Sequence, residues 1–128
     1  MAVCVVVHAF GVTAALRRLR AWILHDRAFG QMIQLLVLVS LWVVFLHLIE
    51  IAAWAALYAW RGAVDGFQSA LYFSGVTYTT TGYGDIVLPR EWRLVGAMEA
   101  LTGILMCSWS TGFFFAVVSR FHEPTRRT

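Results

Sequence analysis

Lysine is absent from this chain, so every fixed positive charge is an arginine, ten of them against seven acids in 128 residues. Charge of either sign is scarce: charged residues make up 13% of the chain and apolar residues 60%, the latter well above the ~45–50% usual in soluble domains. A net charge of +3 with no basic face gives nucleic acid nothing to grip, and anionic lipid head groups suit these arginines better. Cysteine is nearly absent too. Cys4 and Cys107 each lie inside an apolar run, read as small packing residues, and say nothing about redox compartment. No nucleophile–base set and no metal-ligand cluster stands out along the sequence, so no enzymatic activity is expected.

What the chain has instead is long apolar segments. Residues 31–60 contain one charged side chain, Glu50, and residues 96–119 contain only Glu99. Both exceed the ~18 apolar residues expected of a spanning helix. The longer one, as helix, would extend roughly 45 Å against a hydrocarbon core of ~30 Å, so it must tilt or protrude. A first segment, 1–16, is uncharged apart from His8 and is followed by Arg17-Arg18-Leu19-Arg20. A signal peptide carries its positive charges before the apolar run, not after it. The order favours an uncleaved span with its N-terminus outside, and a helix lying in the interface is the alternative.

Four arginines (17, 18, 20 and 27) lie between the first two segments and three (120, 126 and 127) after the last; only Arg61, Arg90 and Arg93 lie in the intervening loop. The positive-inside rule places the first two groups and the C-terminus in the cytoplasm and the loop outside. Within that loop Asp65 is a candidate N-cap with Gln68 three residues on, and 66–78 should form a helix of roughly 20 Å, too short to cross. Such a re-entrant helix turns its negative end toward mid-membrane and favours a cation there. Extended backbone at that depth is tolerated only where it lines a cavity or is buried in protein.

Thr79-Thr80-Thr81-Gly82-Tyr83-Gly84-Asp85 follows that helix. To shed its water, a cation needs replacement oxygens converging on one axis. Consecutive inward carbonyls require dihedrals that glycine permits and other residues disfavour, and Gly82 and Gly84 occupy such positions. The carbonyls of Thr80, Thr81, Gly82 and Tyr83 would be the ligands, with the Thr80 hydroxyl at the inner end and Thr81 packing outward. One chain supplies one such strand, so a closed ring needs a symmetric assembly.

These residues, together with Val76-Thr77-Tyr78, resemble the pore domain of the potassium channel family in its small prokaryotic-type, two-helix form. The resemblance covers residues 31–121. It implies an all-α membrane protein with outer helix, re-entrant pore helix and filter, and inner helix, preceded here by an extra N-terminal segment that should span. It divides the chain into an N-terminal segment and basic linker (1–30), a pore domain (31–121) and a short cytoplasmic tail (122–128). It implies a homotetramer in the cell membrane with K+ as permeant ion. Tyr72 and Phe73 match aromatic residues that support the filter tyrosine, Gly103 the hinge of the inner helix, Thr111 a cavity-lining position and Asp85 the acid at the outer mouth. The sequence departs from some relatives at Val76, where a glutamate would pair with that acid, so any such brace must come from elsewhere. No ligand-binding domain is expected after the inner helix, and Arg17-Arg18-Leu19-Arg20 lacks the every-third spacing of a voltage sensor.

Several residues are unusual for a membrane span. Glu50 and Glu99 should face protein or water, the latter through interfacial solvation. His47 and Glu50 share a helix face and are either a pH-sensitive pair near the filter or a packing contact between helices; His8 reads as a helix-packing residue. Trp22, Trp60 and Trp92 suit interfacial belts, and Trp42, Trp54 and Trp109 suit deeper packing. Of Phe113, Phe114 and Phe115, at most one or two can face the inner pore. The function expected is passive, selective K+ conduction. The alternatives are a less selective cation channel on the same scaffold, or a non-conducting sensor or regulatory subunit.

Overall fold

The computed structural model describes residues 1–23 and 29–122, with side chains described over 1–18 and 30–119. Four helices, α1 (Ala2–Ile23), α2 (Phe29–Trp60), α3 (Phe67–Tyr78) and α4 (Arg93–His122), account for most of it, and a 3-10 turn (Arg90–Trp92) leads into α4. No strand occurs among the described residues. Gly30–Trp60 and Arg90–Ser119 are long and apolar enough to cross a membrane. At 22 residues α1 is roughly 33 Å long. It runs beyond the apolar segment, through Arg17 and Arg18, without a break. Arg17 and Arg18 are exposed. The side chains of Arg20, Trp22, Arg27, Arg120, Arg126 and Arg127, and the tail from 123 onward, lie outside the described residues.

The buried positions of α2 are Leu35, Val39, Val43, Leu46, Glu50, Ile51, Trp54, Ala55 and Tyr58. Spacings of three and four among them draw a single stripe along the helix. An acid therefore occupies the middle of an otherwise apolar seam. α2 ends in a Schellman motif: the Ala63 N–H donates to the Tyr58 carbonyl at 2.9 Å and the Gly62 N–H to the Ala59 carbonyl at 3.2 Å. Gly62 has φ 66, the left-handed conformation this cap requires. The chain then turns into α3, which packs against α2 and α4. The expected cap of α3 is corrected here. Gly66, not Asp65, is the N-cap, no side chain caps the helix, and the Gly66 carbonyl accepts from the Ala70 N–H. Asp65 is exposed, so water satisfies it.

α1 lies against α2 and α4. Gly11 allows the close approach: a Cβ there would lie 2.5 Å from a methyl of Leu46. The Trp42 indole donates to the Gly11 carbonyl at 3.1 Å. Two apolar clusters result. One, with Trp54, Tyr58, Phe73, Tyr78, Leu88 and Met106, surrounds α3; the other, with Val12, Val39, Leu46, Phe113 and Val117, joins the far halves of α1, α2 and α4. Of the three tryptophans expected deep in the fold, only Trp54 is buried; Trp42 and Trp109 are exposed on the single chain. The Arg61 guanidinium sits over the rings of Trp60 and Trp92 at the loop end, where belts form.

Candidate functional site: the loop after α3 and two buried polar centres

α3 ends at Tyr78, and the Gly82 N–H reaches back to the Val76 carbonyl at 3.1 Å. Within this loop φ is positive at Thr80 (61), Gly82 (55) and Gly84 (80). The two glycines adopt this conformation freely. Thr80 does not: a β-branched residue there is strained and persists only where its surroundings enforce it. Enforcement is visible in the hydrogen bonds. The Thr80 N–H donates to Thr77 at 2.9 Å, the Thr79 hydroxyl donates to the Gly75 carbonyl at 2.8 Å, and the Thr79 and Thr81 hydroxyls lie 3.0 Å apart. Residues 79–85 are all exposed on the single chain, Tyr83 by 72%.

The residues expected around this strand fall in different places. The Tyr72 hydroxyl donates to an Asp85 carboxylate oxygen at 2.7 Å. That bond holds the Asp85 carboxyl below the usual carboxylate range and raises the Tyr72 phenol. It supplies the brace that Val76 cannot. Phe73 turns the other way, buried edge-on against the Tyr58 ring at 5.3 Å. Thr111 is exposed on α4, its hydroxyl bonded to the Cys107 carbonyl. The helix is continuous at Gly103, and a Cβ there would lie 1.9 Å from the Tyr78 carbonyl oxygen. This glycine therefore lets α4 touch the backbone that leads into the 79–85 loop.

Glu99 is fully buried, so interfacial solvation does not apply to it. It accepts from the Tyr58 hydroxyl at 2.8 Å and from the Ser74 hydroxyl, and Ser74 also reaches the Ile51 carbonyl. The centre ties α3 to α2 and α4.

A second centre lies between the two apolar clusters. His8 Nδ1 is 2.9 Å from one Glu50 oxygen, and the Tyr78 hydroxyl donates to the other. His47 Nδ1 lies 3.0 Å from that hydroxyl. The Nε2 atoms of His8 and His47 each lie 3.1 Å from Ser110 Oγ. The five side chains thus close a ring: Glu50, His8, Ser110, His47, Tyr78 and back to Glu50. Five contacts need five protons. Two neutral imidazoles, a phenol and a serine bring four, so the fifth sits between Glu50 and His8, and on either atom the ring carries no net charge. Neutrality and full pairing are what make so polar a cluster tolerable in an apolar interior. His47 and Glu50 are therefore two members of a five-part network, not an isolated pair. His8 is a member as well, and it ties α1 to α2 and α4. Sequence spacing showed no metal-ligand cluster, yet the fold gathers ligand atoms of His8, His47 and Glu50 within 4.8 Å of one another. The missed signal was the lone histidine of an apolar segment, 42 positions from its carboxylate.

The family profile described as "Ion channel" matches residues 33–120. The chain belongs to this ion-channel family, in its small potassium-channel-type form with two apolar helices. No curated protein and no solved structure matches it significantly. The matched segment runs from Ile33 within α2 through α3 and the 79–85 loop to Arg120 near the end of α4, and α1 precedes it.

Proposed function

We propose that this ion channel is a homotetrameric, potassium-selective pore that conducts K+ passively across the cell membrane. The loop would face outward and the C-terminus the cytoplasm. The observation that carries the reading is the run of positive φ at every second residue from Thr80 to Gly84. Alternating handedness turns successive peptide planes so that neighbouring carbonyls point to one side, and a dehydrated K+ needs such a column of oxygens. Thr80, Thr81, Gly82 and Tyr83 would contribute the carbonyls, with Asp85 at the mouth. Four copies around one axis would complete each oxygen cage and cover the strand left exposed on one chain. Apolar side chains outward on α2 and α4, such as Leu41, Phe45, Leu48, Leu101 and Ile104, suit lipid or neighbouring copies.

Flux of K+ against Na+ from liposomes holding the purified protein tests this. K+ flux in large excess over Na+ is the expected outcome. Equal fluxes would make it an unselective cation channel, and no flux from a folded oligomer would make it a non-conducting subunit.

A further inference from the structure

The ring of five side chains is more than a packing device. We propose that His8, His47 and Glu50, with the Tyr78 phenol oxygen, form a binding site for a divalent transition-metal ion of the zinc type, joining α1 to the pore domain.

The donor set is two imidazole nitrogens and two oxygens, the mixture such ions take. His47 and Glu50 are three apart on α2, so both project to one point in the helix bundle, the arrangement by which facing helices build metal centres. The spacing fits. Ligands about 2.1 Å from a tetrahedral ion lie about 3.4 Å from one another. Here His8 Nδ1 and Glu50 are 2.9 Å apart, His47 Nδ1 and Tyr78 3.0 Å, and His47 Nδ1 and the second Glu50 oxygen 3.6 Å. Seating an ion requires the Tyr78–Glu50 contact to open by about an ångström, within a group whose histidine and carboxylate ligand atoms already lie within 4.8 Å of one another.

Ser110 points to the same conclusion. A metal-bound histidine donates its other ring N–H to an acceptor that fixes tautomer and ring plane. Ser110 Oγ lies 3.1 Å from both Nε2 atoms, and a hydroxyl oxygen has two lone pairs to accept both. Both Nδ1 lone pairs then face Glu50 and Tyr78. His47 keeps 16% of its side chain exposed on the single chain.

Charge balances as well. The neutral ring holds five protons. With the ion bound, three remain, one on each Nε2 and one on Ser110, and Tyr78 binds as phenolate. Two protons leave for each divalent ion, so the centre stays neutral in its apolar surroundings.

The test uses the full chain in lipid nanodiscs, treated with chelator and then titrated with Co2+ alone and afterwards with Zn2+. We expect a saturable visible absorption of tetrahedral Co2+, displaced by Zn2+. Calorimetry in buffers of different ionisation heat should show two protons released per ion. Ser110→Ala should weaken binding ~10–100-fold. Glu50→Gln is the decisive variant. Its amide can donate to His8 and accept from Tyr78, so all five hydrogen bonds and the fold persist while the anionic ligand is gone, and the Co2+ signal should vanish. Should that variant misfold, His8→Gln decides in the same way, since it removes a ligand that lies outside the pore segment. Absence of a saturable Co2+ signal in the wild type, a signal unchanged in either variant, or binding without proton release would each overturn the proposal. None of these readouts depends on which ion the pore conducts.

Discussion

The 79–85 loop and the five-membered ring adjoin at Tyr78, and they are built on opposite principles. In the proposed pore the loop would work through backbone: its residues are consecutive and exposed on one chain, and they would enclose an ion only together with other copies. The ring works through side chains. Its members come from all four helices, up to 102 positions apart, and one chain satisfies it fully. A site that is incomplete alone leaves a contiguous motif in the sequence, because local dihedrals must be encoded locally. A site that is complete alone leaves none, because each member looks like an isolated polar residue in an apolar segment.

The sharpest way to break this contrast is at Gly82. Its φ is 55 and a Cβ there would meet nothing within 4 Å in the chain. Gly82→Ala thus acts through the dihedral rather than through a clash, at ~1–2 kcal/mol per subunit for forcing alanine into the left-handed region. Relaxation of the backbone would turn carbonyls off the axis. Selective K+ flux in liposomes should be abolished. Wild-type-like K+ flux would show that the strand is not the conducting element.

The sequence made the α2–α3–α4 architecture legible because long apolar runs and a short re-entrant helix leave few other folds. The Tyr72–Asp85 brace was half legible: both residues stood out, but their bond depends on the loop geometry after α3. Glu99 was misread because its place near the start of α4 suggested water, whereas Tyr58 and Ser74 from two other helices enclose it. Asp65 was misread as a cap because Gly66 supplies the left-handed turn before α3. Thr80 could not be read at all, since no sequence rule places a β-branched residue at positive φ.

Tyr78→Phe sharpens the comparison from the other side. It deletes one hydroxyl from the ring and leaves Glu50 and His47 each short of a partner. Unsatisfied buried groups cost about 1–3 kcal/mol in soluble proteins, and polar contacts between membrane helices average about 0.6 kcal/mol with a maximum near 1.7. A loss of about 1–2 kcal/mol per subunit is expected, read as a lower midpoint of denaturation in nanodiscs. Selective K+ flux should persist, in contrast to Gly82→Ala. A midpoint equal to wild type would mean that the ring contributes nothing to holding the helices together.

The smallest effect belongs to Tyr72→Phe, where strand and pore helix meet in water. The Tyr72 hydroxyl donates to the ionised Asp85 carboxylate, which lowers the carboxyl's pKa. A lowered value means that the bond favours the folded loop at pH above the ordinary carboxylate range and stops doing so as pH falls through the lowered value. Phenylalanine removes the donor, so the Asp85 midpoint should rise toward the ordinary carboxylate value. Its backbone N–H contacts remain, so the rise should be partial. Both groups are exposed on the single chain, so screening by water keeps the effect on stability slight. Carboxyl carbon NMR across an acid titration reads the midpoint directly. An Asp85 midpoint that does not move would separate Asp85 from α3 and leave the 79–85 loop without this anchor.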